Sequence, residues 1–418
     1  MRTKQKIRTC AFLCLLLGPI ISGCARATPT PDPAVITFVH PDFDTEYYET
    51  LVAEFNESYP YITVELRSQT GGIINELSGG GVDVFAASPY ALIQLRGQGD
   101  ILSLDPFIER DQSFNLPDFY PGVVELLTIE GKTWAVPAGI DVAVMFYSQD
   151  LFDQYGVPYP EIGWTWDDFL EAGLAISDPD AGIYGYTTTG TVTDPGYLEV
   201  PFFIYQHGGR LFDSLRNPTY TTFDDPLTIE AVEWYASLFH EYDVAPTPSE
   251  ARRAFGGNQY AFFDGLRHGN VGMWIGMLSE RGGMTWPVEW FVNWGMVPLP
   301  RDAQAITQAD VEGYAIYAQT EHPDACWQWI TFLSQRIPYR LMPARKSLAE
   351  STAYGQLVGD DVAIVARASM ENAVLINLIA FAEFEDAMNV LADAVGEVID
   401  ENMTPREAME WAQRRAEQ

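Results

Sequence analysis

Carboxylates, aromatic rings and a guanidinium that follow apolar segments are the side chains with chemistry to offer in this sequence. Asp42 comes three residues after the apolar run Val35–Val39, and Tyr90 lies just beyond Val82–Ala86. Trp274 stands between Gly272 and Gly276, Tyr314 follows Glu312-Gly313, and Arg345 closes Met342-Pro343-Ala344-Arg345. A carboxylate accepts hydrogen bonds from hydroxyl groups, a ring covers a flat C–H face, and a guanidinium donates a fork of hydrogen bonds. Together these groups are equipment for holding a small polar molecule. Each also has an ordinary structural use. Aspartate after a strand caps helices, and buried rings and arginines pack or pair.

Catalytic patterns do not emerge. The histidines at 40, 207, 240, 268 and 322 form no His-x-x-x-His pair, and neither Gly-x-Ser-x-Gly nor a phosphate loop is present. Two carboxylates for glycoside hydrolysis can be drawn from 58 acids, but nothing singles out a pair. The expectation is a chain that binds without catalysing, with no cofactor and no metal site.

The first residues set the compartment. Arg2, Lys4, Lys6 and Arg8 precede the apolar run Ala11–Leu17, which is followed by Gly18-Pro19-Ile20-Ile21 and the small residues Ser22 and Gly23. This is the layout of an export signal, too short to span a bilayer comfortably. Its end, Ile21-Ser22-Gly23-Cys24, resembles the bacterial lipobox. The resemblance implies that Cys24 is lipidated, with palmitate among its acyl chains, and becomes the first residue of an extracytoplasmic protein anchored to the cell membrane. Residues 25–33, ARATPTPDP, read as a proline-rich tether. Cys10 and Cys14 leave with the signal, so Cys326 remains without an internal disulfide partner and is expected as a buried structural thiol.

Net charge is −34, and it becomes more negative once the four basic residues of the signal are lost. Such acidity excludes nucleic acid as a partner and excludes a charge-driven hold on anionic lipid. The 418 residues allow two lobes of ordinary size, and 13% aromatic content is too high for a disordered chain.

The elements alternate. Val35–Val39 reads as a strand, Thr45–Tyr59 as a helix with Tyr48, Leu51, Val52 and Phe55 on one face, and Ile62–Leu66 as a second strand. A short helix over Ile73–Leu77 and a strand over Val82–Ala86 complete β-α-β-α-β, which predicts an α/β fold with a parallel sheet. Ligands of such sheets sit beyond the carboxyl ends of the strands. Later, Thr165 and Asp168 form a helix-capping pair, as do Thr404 and Glu407. Pro226–Phe239, Asp324–Leu333 and Phe384–Ala416 read as helical, and Asn270–Met277 and Tyr314–Ala318 as strands. In Asn270–Met277 the two glycines are expected to leave room against the Trp274 ring.

Nine segments in order resemble the family 1 extracellular solute-binding proteins, the group that includes maltose-binding protein. They include ITFVHPDFDTEYYETLVAEFNESYPYITVEL, GVDVFAAS, ILSLDPFIE, GKTWAVPAGIDVAVMFYSQDLFDQYGVPYPEIGWTWDDF, YQHGGRLFD, FFDGLRHGNVGMWIG, WGMVPLPRD, EGYAIYAQTEHPDACWQWITFLS and MPARKS. Ser148 departs from the family's usual asparagine. The resemblance implies a two-lobed periplasmic-binding-protein-like fold of type II, with a hinge and a ligand cleft between the lobes. It implies a monomer whose closed form is recognised by the permease subunits of an ABC importer. By the same resemblance, 1–23 is the lipoprotein signal peptide and 24–33 the tether. Residues 34–140 with 308–345 form the N-terminal lobe, and 141–307 with 346–418 the C-terminal lobe. Crossings are implied near 137–142, 301–308 and 345–348. Asp141, four residues after Pro137, aligns with an acidic ligand-binding position of the family, and Tyr197 with an aromatic sugar contact. The expected ligand is a sugar or oligosaccharide. Alternatives are a polyamine, a metal or a phosphate ester on the same fold, a cleft that only senses its ligand, or a secreted glycosidase.

Overall fold

The computed structural model describes residues 33–69, 72–193, 195–196, 199–214, 218–283, 290–371, 373–374 and 384–417. It opens as the sequence pattern predicts. Strand β1, Ala34–Pro41, pairs in parallel with β2, Ile62–Gln69, and with β3, Val84–Ala87. The helix Thr45–Ser58 connects β1 to β2 and buries Tyr48, Leu51 and Phe55 against them. Strands β4, Thr128–Ile129, and β5, Lys132–Thr133, form a separate small hairpin.

The remaining strands bring the molecule's two halves into one sheet. β6 runs from Val136 to Ser148, β7 from Tyr184 to Thr187, β8 from Val271 to Met277 and β9 from Trp294 to Val297. β10 runs from Thr307 to Ile316, β11 is Met342–Pro343 and β12 is Ala373–Val374. Among the described residues the order is β2-β1-β3-β10-β6-β8-β7, with β9 and β11 also on β6 and β12 on β10. β10 begins seven residues before the sequence pattern places it. Its opening stretch, Thr307-Gln-Ala-Asp-Val-Glu-Gly313, mixes acids and a glycine into the strand, and only pairing with β6 makes it extended.

Two hydrophobic cores flank these long strands. One gathers Ile36, Phe38, Phe55, Val84, Phe85 and Trp329, and the other gathers Phe152, Phe169, Tyr186, Phe203, Tyr235 and Phe239. β6 feeds both, with Val136, Ile140 and Val142 in the first and Ala143, Met145 and Tyr147 in the second. The C-terminal part of the chain is divided. Tyr354, Val362 and Ala366 pack in the first core, whereas Ala387, Leu391, Met409 and Ala412 pack in the second.

Local signals are satisfied as the sequence suggests. Thr165 and Asp168 make a reciprocal cap on the helix Trp166–Ile176, and Thr404 and Glu407 do the same for Pro405–Ala416. Ser148 caps the helix Gln149–Tyr155 by accepting the Leu151 N–H at 3.3 Å, a task that serine and asparagine share. Cys326 is buried in the helix Pro323–Leu333, and burial pushes its thiol pKa up to about 12. Among the described residues, no helix is long and apolar enough to cross a membrane.

The helix Trp166–Ile176 lies directly on β7 through two facing glycines. A Cβ on Gly185 would sit 2.2 Å from the Gly173 carbonyl oxygen and 2.5 Å from its Cα. Backbone cannot yield there as a side chain would. Replacing Gly185 with alanine should therefore cost about 1–3 kcal/mol or more. The check is the midpoint of thermal or urea unfolding, and an unshifted midpoint refutes the close approach.

Candidate functional site

A cavity of about 520 Å³ opens beside the carboxyl ends of β7 and β8. Three walls are built from different parts of the chain. Thr187 ends β7, and the loop Thr188-Thr189-Gly190-Thr191 continues from it along the rim. The helix Ala261–Arg267 contributes Phe262, Phe263, Asp264, Leu266 and Arg267, with Tyr260 just before it. β8 supplies Trp274 to Met277, and Gln308 and Asp310 reach in from the crossing strand β10. Phe202, Glu280, Gly283 and Trp290 complete the lining.

The floor is aromatic. Trp274 stacks on Phe146 at 5.9 Å between centroids, and the edge of Trp290 meets it at 5.2 Å. The flanking glycines do not open a space against the Trp274 ring, as the sequence pattern suggests. A Cβ on Gly276 would lie 3.1 Å from the Phe146 ring and 2.6 Å from a Glu280 carboxylate oxygen, and one on Gly272 would lie 2.8 Å from the Gly185 carbonyl. They let neighbouring groups close on β8. The Trp274 indole Nε1 and the Arg267 Nε are buried without a hydrogen-bond acceptor. An unpaired buried donor costs free energy, and both nitrogens are closed off from the open volume of the cavity.

Acids gather where the cavity meets the crossing strands. Asp310 lies opposite Asp141 in the β10–β6 register. Burial raises the carboxyl pKa of Asp310, of Glu280 and, to about 7, of Asp141. Each still has one fixed donor. Asp141 accepts the Ser279 N–H at 2.9 Å, Glu280 the Met277 N–H at 2.9 Å, and Asp310 the Gln308 amide at 2.9 Å. The remaining lone pairs suit hydroxyl hydrogens.

The residues marked in the sequence separate into groups. Trp274 lines the cavity, and Asp141 sits one strand away from its rim residue Asp310. Asp42 and Tyr90 stand exposed after β1 and β3, in the first half of the molecule, and do not line the cavity. Tyr314 lies in the first core with its hydroxyl 3.2 Å from that of Tyr48. Arg345 is buried, donates to the Ser334 and Asn115 carbonyls and to Asp118, and stacks on Phe119. Tyr197 and Cys24 lie outside the described residues. The threonine loop, Arg267, Glu280 and Asp310 were not singled out from sequence. The run Tyr-Gly-Tyr-Thr-Thr-Thr-Gly-Thr at 184–191, a strand passing into hydroxyls, was the available signal.

The sequence model described as bacterial extracellular solute-binding protein matches residues 44–336. The chain belongs to that family. A mannitol-binding protein of Pseudomonas aeruginosa is 25% identical over 330 residues, which cover 77% of this chain and 65% of that protein. An arabinooligosaccharide-binding protein of Halalkalibacterium halodurans is 25% identical, over 54% of this chain and 49% of its own length. The chain thus spans less than two thirds of these curated relatives. The fold matches along almost its full length. An ABC substrate-binding protein from Listeria monocytogenes in complex with cycloalternan superposes with a TM-score of 0.75 at 20% identity, covering 92% of this chain and 98% of that one. UgpB from Mycobacterium tuberculosis, in complex with glycerophosphocholine, gives 0.73 at 17% identity, covering 93% and 98%. The chain therefore has the two-lobed α/β architecture of this family.

Two variants separate scaffold from site. Arg345→Ala should lower stability by about 2–3 kcal/mol, because it removes a buried guanidinium that bonds the Ser334 and Asn115 carbonyls and packs on Phe119. It should leave ligand affinity unchanged, and a loss of affinity without a loss of stability would place Arg345 in the site instead. Asp141 carries a pH signature. Its pKa near 7 in the folded state exceeds the ordinary 3.8, so protonation favours folding. The stability this brings is complete below about pH 4 and is lost as pH rises towards 7. Asp141→Asn removes that loss. Its melting temperature should exceed the wild type's at pH 8, with the gap closing towards pH 4. Parallel melting curves across that range refute the buried acid.

Proposed function

We propose that this protein is an extracytoplasmic solute-binding lipoprotein that holds a sugar or oligosaccharide between its lobes and delivers it to the permease of an ABC importer. The cavity carries this reading. The half-exposed Tyr260 ring offers a face for C–H surfaces beside an apolar lining of Trp274, Trp290 and Phe262, while threonine hydroxyls, Gln308, Asp310 and Glu280 add hydrogen-bonding groups. A sugar is the ligand class with both surfaces in one small molecule. Membership of the solute-binding family supports binding rather than catalysis, and an extracytoplasmic location. The mannitol-, arabinooligosaccharide- and erythritol/L-threitol-binding relatives agree with a polyhydroxylated ligand.

The charge of the lining favours a neutral ligand over a phosphate ester. Arg267 is the one basic side chain among the described lining residues, and Asp264 sits 3.9 Å from it. Three acids face any anion that enters. Closure of the lobes would bring groups of the first half, with Asp42 and Tyr90 at its strand ends, towards the ligand. Cys24, within Ile21-Ser22-Gly23-Cys24, is the proposed attachment point for lipid and holds the protein at the membrane.

A melting screen with mannitol, tagatose, maltose, arabinotriose, spermidine, divalent metals and glycerol 3-phosphate tests the ligand class. A ligand at a thousand times its Kd adds ~4 kcal/mol of stability. A shift from sugars alone supports the reading, and a shift from spermidine, a metal or the phosphate ester alone overturns it. Tyr260→Ala removes the exposed ring of the lining, so it should weaken sugar binding about tenfold. Isothermal titration reads this directly, and unchanged affinity removes that ring from the site.

A further inference from the structure

The threonine wall of the cavity is held from behind by one carboxylate. Glu199 is fully buried, next to the helix Val200–His207, and does not line the cavity. Five donors converge on it. They are the Thr188 hydroxyl, the Thr189 N–H at 3.0 Å, the Thr189 hydroxyl at 2.7 Å, the Tyr235 hydroxyl at 3.1 Å and the Tyr186 hydroxyl at 3.4 Å. A second tie closes the loop, because the Gly196 N–H donates to the Thr188 hydroxyl oxygen at 2.7 Å. Gly196 itself has φ of +76°, and a Cβ there would lie 2.9 Å from the Tyr235 hydroxyl. So large an investment of buried polar groups has no counterpart elsewhere around the cavity among the described residues.

The chemistry of the arrangement has a direction. Burial raises the Glu199 pKa, and the hydrogen bonds from Thr188, Thr189 and Tyr235 oppose that by favouring the ionised form; an ionised carboxylate only accepts, so each hydroxyl that bonds to it must spend its hydrogen there. Thr189, half-exposed on the rim, then has lone pairs left for the cavity and no hydrogen. Thr188 is fully buried and braces the loop from inside. The Thr189 hydroxyl is thereby set to accept hydrogen bonds, and it reads ligand O–H groups as donors.

We propose that Glu199 is a specificity-determining positioning residue, which fixes Thr188 and Thr189 of the loop and turns the Thr189 hydroxyl into an acceptor for a hydroxyl donor of a polyhydroxylated ligand. The specificity half of this rests on the sugar reading above, and the positioning half does not. Glu199→Gln changes the direction at nearly constant shape. Where the amide NH2 faces Thr189, that hydroxyl must turn round to accept, and its hydrogen then points into the cavity.

The experiment has two arms. In ligand-free protein, hydrogen exchange of the Thr189 and Gly196 amides is compared between wild type and Glu199→Ala. Exchange at least tenfold faster in the variant is expected, and unchanged exchange overturns the positioning role whatever the ligand proves to be. In the second arm, the tightest binder among mannitol, tagatose, maltose and arabinotriose is titrated beside its monodeoxyfluoro analogues. Fluorine accepts but does not donate, so wild type should reject at least one analogue tenfold or more. Glu199→Gln should weaken the parent sugar about tenfold and narrow that ratio. Thr189→Val, which leaves Glu199 in place, should weaken the parent similarly. A Glu199→Gln variant that weakens parent and analogues equally has lost only structure, and the specificity role then fails. If none of the four sugars binds wild type, the sugar reading and the specificity role fall together, and the exchange arm still decides the positioning role.

Discussion

Antiparallel pairing of β6 with β10 is the constraint on which the rest of the molecule depends. Ala309 to Tyr314 bond to Val142 to Val136, with a register shift at Glu312/Gly313. β10 continues into pairing with β3, and β6 continues into pairing with β8. Two otherwise separate cores are thus stitched by two strands whose backbone groups are satisfied by each other. The same strands carry Gln308 and Asp310 to the cavity. The cavity needs such a seam, because lining residues more than a hundred positions apart must hold a fixed distance.

The seam is electrostatically expensive and is compensated locally. Asp141 and Asp310 face each other across it, and burial raises both. Beside them Arg340 is buried against Asp44 and Glu312. Burial alone would lower its pKa, but the Glu312 and Asp44 carboxylates outweigh that and hold it charged. Arg281, also buried, has carbonyls of Leu278, Tyr339 and Arg340 as acceptors, and burial lowers its pKa. It ties the turn after β8 to the segment before β11. Two buried acids facing each other are thus held here at a cost in stability.

Much of the fold was legible because its signals are local. The period of three and four in Thr45–Ser58, the parallel β1–β2–β3 unit and the capping pairs Thr165/Asp168 and Thr404/Glu407 each depend on residues a few positions apart. The start of β10 was not legible, since a strand carrying Asp310, Glu312 and Gly313 has no pattern of its own until β6 supplies its partner. Trp274 was marked from its type and its strand, and it lines the cavity. The glycines beside it were misread, because a glycine in a strand signals a close approach without saying what approaches. Phe146 and Glu280 are what come close to Gly276.

By itself the sequence determined the α/β class and the residue types suited to a polar ligand, and it carries no recognisable catalytic motif. These follow from composition, short motifs and periodicity, which need no distant contact. Tertiary structure alone decided which of those residues meet. It put Arg345 and Tyr314 into the scaffold and joined Trp274 to a threonine loop and to Asp310. It also set Glu199 behind that loop as the acceptor of five donors. Whether a carboxylate is a ligand, a cap or a brace depends on burial and on partners far along the chain, and those exist only once the two lobes have closed around β6 and β10.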